Sequence, residues 1–323
     1  MRMTLGLSLL ASALLAGQAF AFEPERPLCV APAKPGGGFD LTCRIAVDAL
    51  AAADALKKPL AVTFMPGGIG AVAYNLFNTA QSKDSNAIVA LSSGSALNIA
   101  TGKFGRWTEN DARFVASAGA DYGAVVVKAD SPYKTLDDVM AKLKANPGSL
   151  VIGAGGSVGS QDWMKAALLV KSVGGDPKKM RYVAFEGGGE SIAALLGGHI
   201  DVYPGDVSEM KAHLDAGTMR ILATLAPNRL PAPYDPYPTA KELGYDVEWT
   251  IFRGYYMGKD VSDEAYGFWT DAFKKAYASP EFAKIRESKG LFEFSLAGKE
   301  FDDYVKSRVA AQREIARAAG LIK

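Results

Sequence analysis

Short apolar segments in this chain run repeatedly into glycine-rich turns and then into helical patterns, and that succession restricts the fold more than any other feature. Leu28 to Ala31 leads through Pro32-Ala33-Lys34-Pro35 into Gly36-Gly37-Gly38-Phe39-Asp40. Ala61 to Phe64 leads into Pro66-Gly67-Gly68-Ile69-Gly70 and a helix expected to reach about Gln81, and Ala87 to Leu91 leads into Ser92-Ser93-Gly94-Ser95. Such strand, turn and helix units in succession predict a parallel sheet whose strand C-termini carry the binding groups. Glycine amides crowded at the start of a helix, which the pattern opens at Asp40, make an anion site, because the first N–H groups of a helix have no partner within it.

The N-terminal segment sets the compartment. Arg2, an apolar core from Leu5 to Leu15 and the small-residue exit Ala19-Phe20-Ala21 read as a signal peptide over residues 1–21, cleaved after Ala21. The apolar core is shorter than the roughly 20 residues a membrane span needs. The mature chain is therefore expected to be soluble and periplasmic. Loss of Arg2 takes Lys+Arg from 36 to 35, against 35 Asp+Glu. That neutrality offers no electrostatic basis for binding nucleic acid or a membrane surface. About 300 residues exceed what one core usually serves, which predicts two lobes.

In an oxidising compartment Cys29 and Cys43, which flank the first glycine turn, can close a loop of about 15 residues, worth roughly 3 kcal/mol of chain entropy. Two buried thiols are the alternative, since a strand and its own following helix can hold the Cα atoms too far apart. A zinc site is excluded, because only His199 and His213 could join the cysteines and the spacings fit no cluster.

A second series follows. Within Phe114 to Ala129, Ala124 to Val127 is expected to form a fresh strand, and a helix from the Ser131 to Asp138 region stops at Asn146-Pro147-Gly148. Leu150 to Gly153 runs into the Ala154 to Ser160 turn and a helix from Gln161 to Val173. Arg181 to Phe185 runs into Glu186-Gly187-Gly188-Gly189-Glu190 and a helix to Leu196, and a short strand from Ile200 to Tyr203 ends at Pro204-Gly205-Asp206. Met219 to Leu225 is a strand, Pro227 to Pro238 a surface loop, and Asp263 to Tyr277 and Lys299 to Ala319 are helices. The fold class is α/β: residues 22–122 with 249–323 form one doubly wound lobe, 123–248 the other, and a ligand cleft lies between them.

Catalytic readings find little support. The Val151 to Ser160 run imitates a dinucleotide fingerprint, but Val158 stands where a glycine is required, and Glu186 lies about 30 rather than about 20 residues on. His199 sits in a helix-to-strand turn and His213 reads as a solvated helix residue, neither with an evident Ser or Cys partner. Asp137-Asp138 and Asp302-Asp303 read as solvated helix faces. A two-carboxylate hydrolase and an exported nucleotide-dependent oxidoreductase are the remaining enzyme alternatives. The chain is read as a non-enzyme without a cofactor.

The ordered set Pro35-Gly36-Gly37-Gly38-Phe39-Asp40-Leu41-Thr42-Cys43-Arg44, Pro66-Gly67-Gly68-Ile69-Gly70, Ser92-Ser93-Gly94, Asn146-Pro147-Gly148, Phe185 to Glu190 and Ala216 to Ala223 resembles the periplasmic receptors of tripartite tricarboxylate transporters, the Bug family. The resemblance implies a type II periplasmic binding-protein fold, with a carboxylate gripped by turns of both lobes through backbone amides, hydroxyls and ordered waters. It also implies a monomer that hands its ligand to large and small integral-membrane subunits, with a signalling partner as the alternative.

Gly36, Gly37, Gly38 and Gly188 would let the backbone approach the ligand, and Ser92, Ser93, Ser157 and Ser160, with Gly159 between the last two, would supply the hydroxyl side. Hydrogen bonds to a charged group are worth about 1.5–3 kcal/mol each, so a handful reaches micromolar affinity, roughly −8 kcal/mol. Asp40 is either a cap of the first helix or an acceptor in the cleft, Phe39 a pocket wall or plain packing, and Asp206 a cleft group or a turn residue. Lys34 and Arg253 are either ligand contacts or surface charges. Asp40-Leu41-Thr42-Cys43-Arg44 looks like the tricarboxylate-binding branch, so the expected ligand is a di- or tricarboxylate, citrate-like first.

Overall fold

The computed structural model describes residues 22–318 and residue 322. The signal peptide and its cleavage site lie outside them, as does Ala319 at the expected end of the last helix. Along the chain come β1 (Leu28–Ala31), α1 (Gly38–Ala52), β2 (Ala61–Phe64), α2 (Ala71–Leu76), β3 (Ala87–Ser92), α3 (Ser93–Ala100) and β4 (Ala112–Lys128). Then follow α4 (Leu136–Ala145), β5 (Val151–Gly155), α5 (Gln161–Ser172), β6 (Arg181–Phe185), α6 (Gly188–Leu196), β7 (Tyr203–Asp206), α7 (Val207–Asp215) and β8 (Met219–Thr224). The chain closes with β9 (Thr250–Gly258), α8 (Asp263–Tyr277), α9 (Pro280–Ser288) and α10 (Lys299–Ala318).

The first three strands are parallel, as their turn pattern predicts, with β1 between β2 and β3. Beyond β3 the sheet turns antiparallel: β9 lies between β3 and β4, placing Arg253 opposite Ser92 and Gly119. Both faces are covered, one by α1 and α8, where Ile45, Leu50, Trp269 and Phe273 are buried, the other by aromatic packing of Phe77, Phe114 and Phe301. Cys29 and Cys43 form a disulfide with Cα atoms 5.6 Å apart, pinning α1 to β1. Helix α2 stops well before Gln81, because Asn78 Nδ2 and Thr79 Oγ1 donate to the carbonyls of Tyr74 and Asn75 and satisfy the last turn from the side.

No fresh strand begins at Ala124. Strand β4 is one continuous piece of 17 residues, paired with β9 as far as Tyr122 and with β7 and β8 from Gly123 onward. Gly123 carries the change of partner: its N–H donates to Trp249 O at 2.9 Å and its carbonyl accepts from Leu225 N at 2.7 Å. In the second lobe β5 and β6 are parallel, and Val125, Leu143, Leu169 and Val170 form one core and Val126, Ile192, Tyr203 and Met210 another.

Strand β7 runs three residues later than the expected Ile200 to Tyr203. Ile200 is drawn into the core instead, Asp201 Oδ2 accepts from Val151 N at 2.7 Å, and Pro204, which has no N–H to give, follows the point where β5 meets the chain at the Ile152–Val202 bridge.

Candidate ligand site

Because each of these helices starts where a strand ends, five helix N-termini meet at one place. They belong to α1 (Gly37 cap), α3 (Ser92), α5 (Ser160), α6 (Gly187) and α7 (Asp206), and they surround a cavity of about 50 Å³. Each N-terminus carries roughly half a positive charge from its unpaired N–H groups.

The two glycine turns bring the lobes into backbone contact. Gly36 has φ +87° and Gly187 φ +155°, conformations that favour glycine, and between them Gly37 lies against Gly188 and Gly189. A Cβ built on Gly37 would stand 3.0 Å from Gly188 N, and one on Gly189 only 2.1 Å from Pro35 O. At the rim Lys34 pairs with Glu190, and Lys103 Nζ donates to Val158 O at 2.8 Å.

The floor is a buried charge network. Arg253 Nη2 donates to Asp121 Oδ2 and to Asp206 Oδ2, 2.7 Å each, tying β9 to β4 and to the start of α7. Lys165, without exposed surface, lies 2.6 Å from Asp206 Oδ1 and 2.8 Å from Asp162 Oδ1. Burial pulls Lys165 and Arg253 toward their neutral forms, but the facing carboxylates outweigh it and hold both charged. Glu209 completes the wall: Oε1 accepts from Gly38 N across the cleft at 2.7 Å, and Oε2 from Tyr203 Oη at 2.5 Å and Asp206 N at 3.3 Å. Burial, reinforced by Asp206, pushes the Glu209 carboxyl up to about 7.

Of the residues singled out in the sequence, Gly37, Gly38, Phe39, Ser92, Ser160, Gly188, Asp206 and Arg253 line the cavity. The others stand elsewhere. Gly36 and Asp40 face a neighbouring hollow, and Asp40, inside α1 rather than opening it, accepts from Gly36 N at 2.8 Å and pairs with Arg44 at 2.8 Å. Ser93 Oγ accepts from Phe252 N at 2.9 Å and pins β9; Ser157 lies in an adjoining cavity of about 280 Å³, and Gly159 lies beside Lys103.

The sequence reading missed Asp121, Lys165, Glu209, Gln161 and Asn98. Gln161 Oε1 and Asn98 Oδ1 are buried at the cavity with no partner among the described residues. Two signals were available. Asp206-Val207-Ser208-Glu209 has the capping-box spacing, and Asp121 is a lone carboxylate within the apolar stretch that becomes β4.

The family model described as "Tripartite tricarboxylate transporter family receptor" matches residues 48–321. The chain belongs to this family. The receptor is 28% identical over 305 residues to the "UPF0065 protein in gbd 5'region" of Cupriavidus necator, covering 93% of this chain and 89% of that one. Its fold matches the periplasmic binding protein BugD with a TM-score of 0.80 at 19% identity, over 93% of this chain and 99% of BugD. MatC of Rhodopseudomonas palustris, solved with bound malate, matches with a TM-score of 0.76 at 18% identity, over 90% and 98% of the two chains. The receptor thus has the two-lobed fold of periplasmic solute-binding proteins, and its family consists of binding proteins rather than enzymes.

Proposed function

We propose that this receptor closes on a small di- or tricarboxylate, citrate-like in the first instance, and delivers it to the large and small membrane subunits of a tripartite permease. The carrying observation is the convergence of five helix N-termini between two facing glycine turns. With Glu209 ionised, Asp121, Asp162, Asp206 and Glu209 outnumber Lys165 and Arg253 by two charges, while five N-termini at roughly +0.5 each more than offset them. The ligand carboxylate is thus met by peptide dipoles of α1 and α6, not by a free cation. Malate in MatC supports a small carboxylate as the ligand class.

In this reading Gly37, Gly38, Phe39, Ser92, Ser160 and Gly188 contact the ligand, Arg253 and Asp206 hold the floor rigid, and Ser157 and Gly159 sit at the rim. Gly36, Asp40 and Ser93 shape the turn and strand that carry the contacts. The lobes, 22–122 with 249–323 and 123–248, close about Gly123 and Trp249, and the monomeric protein works in the periplasm after cleavage behind Ala21. Thermal shift and calorimetry with C4 to C6 polycarboxylates test the proposal. Ligand at 100 times its Kd adds about 2.7 kcal/mol of stability, and the absence of a shift with every member of the panel would refute it.

A further inference from the structure

The wall facing the glycine turn is acidic, and its members are not equivalent. Asp206 spends one oxygen on Lys165 and the other on Arg253, and Asp162 spends its oxygens on Lys165 and on Gly155 N. Asp121 is held by Arg253 and by Ser208 Oγ at 2.6 Å. Both buried cations are therefore consumed. Glu209 lines the same cavity with no ion-pair partner among the described residues, its donors being two peptide N–H groups and one phenol. A carboxylate has about four lone-pair sites, so Glu209 keeps acceptor capacity in the cavity beside the start of α1, whose Gly38 N–H it already accepts.

Resting on the carboxylate reading above, we infer that Glu209 sets ligand specificity by accepting a hydrogen bond from a hydroxyl or ammonium borne on the carbon next to the ligand carboxylate. The receptor then prefers 2-hydroxy- and 2-aminocarboxylates to the same acids without that group. A donor satisfies Glu209, whereas a bare methylene covers its free lone pair and leaves a buried acceptor unpaired beside a second anion. The carboxylate of the ligand goes to the helix N-termini, and its donor group turns toward the acidic wall.

Matched pairs differing only in the hydroxyl test this: malate against succinate and citrate against tricarballylate, with aspartate for the ammonium. Binding is measured by calorimetry at pH 8, on the alkaline side of the Glu209 titration, on the parent protein and on Glu209→Gln, which keeps the shape and an acceptor but not the charge. Glu209→Met, which keeps the bulk and removes the acceptor, is measured beside it, and thermal melts establish that both variants are folded.

The expected result is at least a tenfold preference for the hydroxylated member in the parent, falling below threefold in Glu209→Met and to an intermediate value in Glu209→Gln, mainly through weaker hydroxy-acid binding. Equal affinities for both members in the parent, or a preference that survives in Glu209→Met, overturns the role of Glu209 and leaves the carboxylate reading standing. Binding of none of the acids overturns both.

Discussion

Replacing Gly37 by alanine separates closure of the cleft from folding of the lobes. Gly37 has φ −104° and ψ −173°, extended backbone that alanine adopts freely, so the cost to the first lobe is confined to a weaker cap, about 1 kcal/mol or less. The new methyl, however, would stand 3.0 Å from Gly188 N and 3.1 Å from Gly189 N. Ordinary contact distances are about 3.5–4.0 Å, so the lobes must stand off by roughly 0.5–1 Å. The bond from Gly38 N to Glu209 Oε1, 2.7 Å across the cleft, then stretches past the useful range, together with amide contacts to a ligand.

Loss of one bond to a charged group costs about 1.5–3 kcal/mol, a rise in Kd of roughly 10- to 150-fold. Calorimetry with the tightest ligand of the panel measures it, and Gly267→Ala, with open space around the added methyl, is the control. Binding by Gly37→Ala within threefold of the parent would refute the contact argument.

Glu209 makes stability depend on pH. Its carboxyl is raised from 4.5 to about 7 in the folded protein, so the folded state binds the extra proton, and this contribution is complete below the unfolded pKa and lost as pH rises through about 7. Denaturant titrations from pH 4.5 to 8 should record a decline on the order of 3 kcal/mol from this group, and Glu209→Gln should flatten it; an unchanged slope would contradict the assignment. Lys165→Met removes the shared partner of Asp162 and Asp206 and leaves buried carboxylates short of a cation. A loss of about 3–5 kcal/mol in unfolding free energy is expected, and less than 1 kcal/mol would show that the network relaxes. Cys29→Ser with Cys43→Ser opens a loop with a sequence separation of 14, for which chain entropy predicts about 3 kcal/mol; reduction of the parent should reproduce the loss.

The strand, turn and helix succession was legible because it is written in local terms. Apolar runs, glycines needing unusual φ, and prolines mark where β1, β5, β6 and α4 to α6 begin and end within a few residues. The same local signals identified Gly37, Gly38, Ser92, Ser160 and Gly188 as groups at strand ends, and those five residues line one cavity. Asp206 and Arg253 were noticed, but not their partnership.

Arg253 is 132 residues from Asp121 and 47 from Asp206, and only the antiparallel insertion of β9 between β3 and β4 brings these charges within hydrogen-bond reach. Lys165 looks like a solvent-facing helix lysine until α5 packs against β7 and removes all its surface. Glu209 reaches Gly38 only because the two lobes meet. The local pattern thus decides which elements form and which turns expose amides, since both follow from backbone conformation over a few residues. Which charges are buried, with whom they pair and where their protons sit are decided by desolvation and by contacts between distant segments, and those exist only once the chain has packed.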